Sequence, residues 1–215
     1  SKYFDFAPTR SNTPNGIFFT SSRMEATGST NDGWYGEKFF DLFAAAMDNN
    51  GKWSTPAAVP PPVNSAASDG TAAWDAKNKT IYFSRCGKIK GKEGVCRLHM
   101  SVFDGSKWSE PQPLPFAGED YNTGQPTVSE DGSILIFSSD MPGTTGGKDL
   151  FMATRDASGN WGAPVNLGNG VNTTSDEMYP TLTAGGKLYF SSTGHPGMGG
   201  LDNFFLREFS KKPSR

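Results

Sequence analysis

The sequence predicts an all-β fold: a β-propeller of four-stranded antiparallel blades, with four repeats visible. Three observations carry that prediction. The chain has 215 residues with 26 Gly, 15 Pro and 13% aromatics, the profile of a turn-rich β protein. Short apolar runs alternate with Gly-, Asn- and Ser-rich turns. Four sets of landmark residues recur with a spacing inside the range typical of propeller blades.

The landmarks are independent of one another. Trp-x-x-Pro begins at Trp53, Trp108 and Trp161, in steps of 55 and 53 residues. A strand ending in Phe-Ser-Ser or a variant gives Phe19-Thr20-Ser21, Phe83-Ser84-Arg85, Phe137-Ser138-Ser139 and Phe190-Ser191-Ser192. Its first step is longer because the first repeat carries an extended loop, residues 24–38. A third register is Asp41-Leu42-Phe43, Cys96-Arg97-Leu98, Asp149-Leu150-Phe151 and Asp202-Asn203-Phe204. The fourth is Pro8, Ala72, Pro126 and Pro180. They divide a single propeller domain, 1–215, into blades at about 6–60, 61–117, 118–170 and 171–209.

The third repeat shows the elements in order. Strand one is 126–129, and Glu130-Asp131-Gly132 closes a tight hairpin. Strand two is 133–139. A Gly-rich loop leads to strand three, 149–154, and Asp156-Ala-Ser-Gly159 turns into strand four, 161–167. Proline lacks an N–H, so strand four suits an outer edge. Strand one is expected to line the central channel, and the apolar positions of strands two and three to pack between blades. Asp41 to Met47 has helical propensity on its own, but the register makes it strand three of blade one. Two departures stand out: Ala72 replaces Pro, and Cys96 replaces Asp. The fourth repeat has no Trp-x-x-Pro, and residues 1–5 align with an inter-blade linker. The sequence therefore fits either a four-bladed ring with a weak last blade or a chain lacking blades.

Cys86 ends strand two of the second blade and Cys96 begins strand three, which places them across one hairpin. A disulfide fits an oxidising compartment, and a pair of thiols is the alternative. With no further Cys and no suitably placed His, the pair makes a poor zinc site, and no metal is expected. Of the two histidines, His99 falls on a strand face. His195 falls in the Gly-rich loop 193–200 and reads as a solvated loop residue.

No catalytic residue emerges. Nucleophile elbow, P-loop and His-Glu-x-x-His motifs are all missing, and no cofactor is expected. Ser129-Glu-Asp-Gly132 looks superficially like a sialidase Asp-box, but one residue is missing between Asp and Gly. Asp41, Asp149 and Asp202 recur at one repeat position, as do Trp53, Trp108 and Trp161, and recurrence points to scaffold. Such a carboxylate can accept backbone N–H groups from the preceding Gly-rich loop. The candidate partner-binding residues are Trp34 and Tyr35, in the long loop that breaks the repeat.

Net charge is −2 with both signs interspersed, so nucleic acid is not an expected partner. The basic stretch 88–92 and the tail Lys211-Lys212 read as solvated. No apolar run approaches the ~20 residues of a membrane-spanning helix. A chain beginning Ser-Lys-Tyr-Phe-Asp reads as a mature or trimmed piece.

The stretches 125–153, QPTVSEDGSILIFSSDMPGTTGGKDLFMA, and 179–205, YPTLTAGGKLYFSSTGHPGMGGLDNFF, resemble the WD-repeat-like, Pro-Asp-type propeller repeats of Bacteroidetes OmpA-family envelope proteins, among them type IX secretion components. TolB repeats are more distant and usually lack the Trp-x-x-Pro strand. The resemblance spans Asp5 to Phe209. It implies a periplasmic, outer-membrane-associated domain without enzymatic activity that binds other envelope or secretion-system proteins. An oxidising periplasm suits a Cys86–Cys96 bridge. A peptide or glycan ligand in the channel is the alternative function, and a propeller glycosidase or lyase the next.

Overall fold

Hydrophobic alternation and tight turns fold each repeat into one antiparallel sheet, with the chain running outward from the centre. The structure, a computed structural model, describes residues 2–23, 25–26, 40–89 and 92–206. Blade one is β1 (Asp5–Arg10), β2 (Gly16–Ser21), β3 (Asp41–Ala46) and β4 (Ala57–Ala58). Blade two is β5 (Ser68–Asp75), β6 (Thr80–Ile89), β7 (Lys92–Val102) and β8 (Gln112–Pro113). Blade three is β9 (Thr123–Val128), β10 (Ile134–Ser139), β11 (Asp149–Thr154) and β12 (Val165–Asn166). Blade four is β13 (Glu177–Leu182), β14 (Leu188–Ser192) and β15 (Asp202–Leu206). Each sheet pairs its strands in sequence order, and the four sheets form a four-bladed β-propeller. Among the described residues there is no helix, and so none long and apolar enough to cross a membrane.

The outer strands are short for the reason the prolines supply. Trp53, Trp108 and Trp161 each make one isolated bridge to the residue just past strand three: Met47, Phe103 and Arg155. The ladder then breaks toward Pro56, Pro111 and Pro164 and resumes for two residues immediately after. β3 pairs with β2 along its whole length, Gly16 opposite Ala46 through Ser21 opposite Asp41. Tertiary pairing overrides the helical propensity of its alanines. The basic stretch after Cys86 differs from the expected loop: β6 and β7 run on past the cysteines, with Ile89 paired to Lys92.

Every inner strand carries a β-bulge at the same place. The register slips at Ala7, Thr71, Gln125 and Tyr179, whose φ values are 51°, 40°, 54° and 53°. The next residue is the Pro or Ala of the fourth landmark. A non-glycine residue in this region costs about 1–2 kcal/mol, so its recurrence in all four blades marks a designed bend.

The core lies between blades. Phe18, Leu42 and Val59 of blade one, with Val63 of the following linker, pack on Ile81, Phe83 and Trp108 of blade two. Tyr82, Leu98 and Leu114 meet Leu135, Phe137, Phe151 and Ala153. Ile136, Leu150 and Met152 meet Leu188 and Phe190. The inner strands pack as β1 on β5, β5 on β9 and β9 on β13; no comparable packing joins β13 or β14 to β1 among the described residues.

Candidate functional site

The four bulges turn the inner strands toward one open central pocket. Phe6, Thr71, Gln125 and Tyr179, one from each blade, line it, with Phe40 and Lys148. Its walls are mostly apolar, and hydroxyls, amides and one lysine supply the polar groups.

The bulges also explain the Phe-Ser-Ser landmark. The outward-turned N–H of Thr71 donates to Thr20 Oγ1 of the preceding blade at 2.7 Å, and Gln125 N donates to Ser84 Oγ at 3.0 Å. At the third junction Ser138 Oγ donates to the Glu177 carbonyl at 2.9 Å, while Tyr179 N donates to Gln125 Oε1 at 2.9 Å. The hydroxyl after the Phe is thus a clasp between blades at the pocket wall.

A second clasp escaped the sequence reading. Asn64 Oδ1 accepts from Leu42 N at 3.0 Å and its Nδ2 donates to Leu42 O at 2.8 Å. Asn172 does the same for Leu150, at 2.8 and 3.0 Å. Thr123 Oγ1 accepts from Leu98 N at 2.9 Å. The two linker asparagines, and Thr123 at the start of β9, act as a strand partner for strand three of the blade before. The signal was present in Val63-Asn64-Ser65 and Val171-Asn172-Thr173, two repeats apart.

Asp149 is fully buried, and its Oδ2 accepts from Thr145 N and Asn166 Nδ2, both at 2.7 Å. Asp202 Oδ2 accepts from Met198 N at 2.8 Å and Gly199 N at 3.2 Å. Asp41 is buried at the matching position. The tryptophans reach back one blade: Trp108 lies 6.3 Å from Phe18, and Trp161 5.7 Å edge-on from Tyr82, ring centre to ring centre. Trp53 does not pack this way and is 44% exposed.

Cys86 and Cys96 form a disulfide and both border the pocket. Cys96 N donates to Asn122 Oδ1 at 2.9 Å, tying the bridge to the next blade. Beside it, Arg85 holds the buried Asp69 at 2.6 Å and donates to the Val63 carbonyl at 2.8 Å. Burial pushes the Asp69 carboxyl up to about 6, against the opposing pull of Arg85 and Ser65. His99 donates through Nδ1 to the Arg97 carbonyl at 3.0 Å. Burial brings it down to about 4, helped by the charges of Arg85 and Arg97, so it is neutral at pH 7.

His195 departs from the solvated position expected of it. Its ring lies 5.0 Å from Phe204 and 5.7 Å from Phe190, and Nε2 is 2.7 Å from the Val171 carbonyl. It pins the Gly-rich loop to the blade. Trp34 and Tyr35 lie outside the described residues. No group of three or more His, Cys, Asp or Glu able to hold a metal occurs among the described residues.

No family model and no curated protein matches the chain. Solved structures do. TolB from Acinetobacter baumannii is similar at 13% identity and TM-score 0.58, over 95% of this chain and 41% of its own. A puromycin-hydrolysing peptidase from Mycobacterium tuberculosis is similar at 12% identity and TM-score 0.53, over 97% of this chain and 37% of its own. This chain spans about two fifths of the length of either. At such identities the likeness establishes the propeller fold. The second match also corrects an expectation drawn from the repeats, that the chain has no enzymatic activity. The same fold forms part of a peptidase, so possession of it is no mark of a non-enzyme.

Proposed function

We propose that this chain is a periplasmic protein-interaction propeller that receives an extended segment of an envelope protein at its central pocket. The observation that carries the reading is the convergence of all four bulged inner strands on one aromatic-lined opening with hydrogen-bonding groups at its wall. An extended peptide has apolar side chains for Phe6, Phe40 and Tyr179, and backbone groups for the hydroxyls and amides. The disulfide and the TolB-like fold support a periplasmic site of action.

A finer reading rests on the Pro-Asp-type repeats. Their resemblance to those of the type IX secretion component PorE supports a partner within that machinery, or one linking outer membrane to peptidoglycan. It also supports outer-membrane association.

The test is site-specific photocrosslinking. A photoreactive phenylalanine replaces Tyr179 in the pocket or, as control, Val165 on the outer strand. Each protein is exposed to the envelope fraction of a Bacteroidetes cell, and adducts are identified by mass spectrometry. Adducts to a defined envelope protein from position 179 alone are expected. Adducts from 165 alone, or none from 179, would reject the pocket as the binding site.

A further inference from the structure

The wall of the central pocket uses up its own backbone donors. The bulge N–H of Thr71 goes to Thr20, that of Gln125 to Ser84, and that of Tyr179 to Gln125 Oε1. The last contact fixes the Gln125 amide. An N–H can only donate, so the atom facing Tyr179 N is the oxygen, and Nε2 is the end left over. Both Nε2 hydrogens are without a protein partner among the described residues. The residue that carries them lines the pocket.

Charge points the same way. Lys148 is the one charged residue among the described lining, and no carboxylate shares it. Carboxylates one residue or one hydrogen bond away already accept protein donors: Asp69 from Arg85, Asp140 from Asn122, Asp149 from Asn166 and Asp176 from Lys148 N. Gln125 and Lys148 belong to the same blade, Gln125 on β9 and Lys148 just before β11.

Resting on the reading of this pocket as a peptide site, we propose that it selects an acidic peptide. The ligand's carboxylate takes the donors of Gln125 Nε2 and Lys148, while apolar neighbours lie on Phe6, Phe40 and Tyr179. A carboxylate only accepts and has two oxygens, so it serves an amide N–H and an ammonium together. Such charge-assisted bonds are the stronger kind. A basic side chain would meet donors and a like charge instead. The carboxylate has two sources, a peptide C-terminus and an Asp or Glu side chain.

An array of octapeptides of shared apolar content, attached by the N-terminus, tests both. One set ends in a free carboxylate and lacks Asp and Glu. Three further sets are C-terminally amidated and carry one Glu, one Gln or one Lys. The whole chain, fluorescently labelled, binds an acid-bearing set roughly tenfold or more tightly than the amidated Gln and Lys sets. Which acid-bearing set it prefers identifies the source. Gln125→Glu keeps the acceptor for Tyr179 N and removes the Nε2 donors. Lys148→Met keeps an aliphatic stem and removes the charge. Each variant loses the preference while its circular dichroism stays that of the wild type. Equal binding of all sets, or preference for Gln or Lys, would overturn the proposal and leave the peptide reading standing. A preference kept by both variants would place the acid elsewhere and overturn it too. Binding of no peptide would overturn the peptide reading and the proposal with it.

Discussion

Asp69 and His99 pull the stability of blade two in opposite directions across the same range of pH. The Asp69 carboxyl is raised from 3.8 to about 6, so the folded state holds its proton more tightly than the unfolded chain does. Its stabilising contribution is complete at low pH and is lost as pH climbs through that window. His99 is lowered from 6.5 to about 4, so its contribution is complete above 6.5 and is lost as pH falls. Each shift is worth about 3 kcal/mol over its window. The two nearly offset each other, and removing one exposes the other. Relative to the wild type, His99→Gln should lose stability as pH rises from 4 to 6, and Asp69→Asn should gain it. Guanidinium midpoints measured across that range check both slopes. Two variants with the wild-type slope would show that neither group titrates as its surroundings dictate.

At the scale of the element, strand four holds little ladder and earns its place through one indole. Trp108 fills the junction between Phe18, Trp74 and Phe103, at ring separations of 6.3, 5.9 and 4.8 Å. Trp108→Ala should therefore cost about 3–5 kcal/mol, the range for a buried aromatic. Trp53→Ala, at the same repeat position but exposed, should cost less than about 1 kcal/mol in dilute solution. Denaturant unfolding of the two variants checks the contrast, and equal losses would mean that strand four acts through its own blade. The sequence announced the tryptophans by their spacing, and strand order with them, because spacing is local information. It did not announce what they touch. Phe18 lies 90 residues before Trp108, and only the turn from blade to blade brings them together. The linker clasps of Asn64 and Asn172 were hidden for a related reason: a polar residue in a linker reads as solvated until a strand edge is placed beside it. His195 was misread likewise, since the Val171 carbonyl and the ring of Phe204 come from other segments.

For the whole molecule, the spacing of the landmarks gave the number of blades but not how the first and last are related. That relation depends on contacts between β1 and β13, which no repeat encodes. Among the described residues the strongest packing joins each blade to its neighbours in sequence. Such an arrangement behaves as a nearest-neighbour stack, in which the loss of one junction is felt mainly by the blade beyond it. Phe18 is 2% exposed in the first junction. Phe18→Ala should weaken that junction by about 3–5 kcal/mol and let blade one open alone. Amide exchange in β1 to β3 should then accelerate by roughly a hundredfold or more, while β13 to β15 keep their protection. Exchange read by mass spectrometry separates the segments. Equal acceleration in blade four would require blades one and four to open together, as they do when a ring is closed and cooperative. Protection retained in blade four would mean that its stability comes through blade three alone.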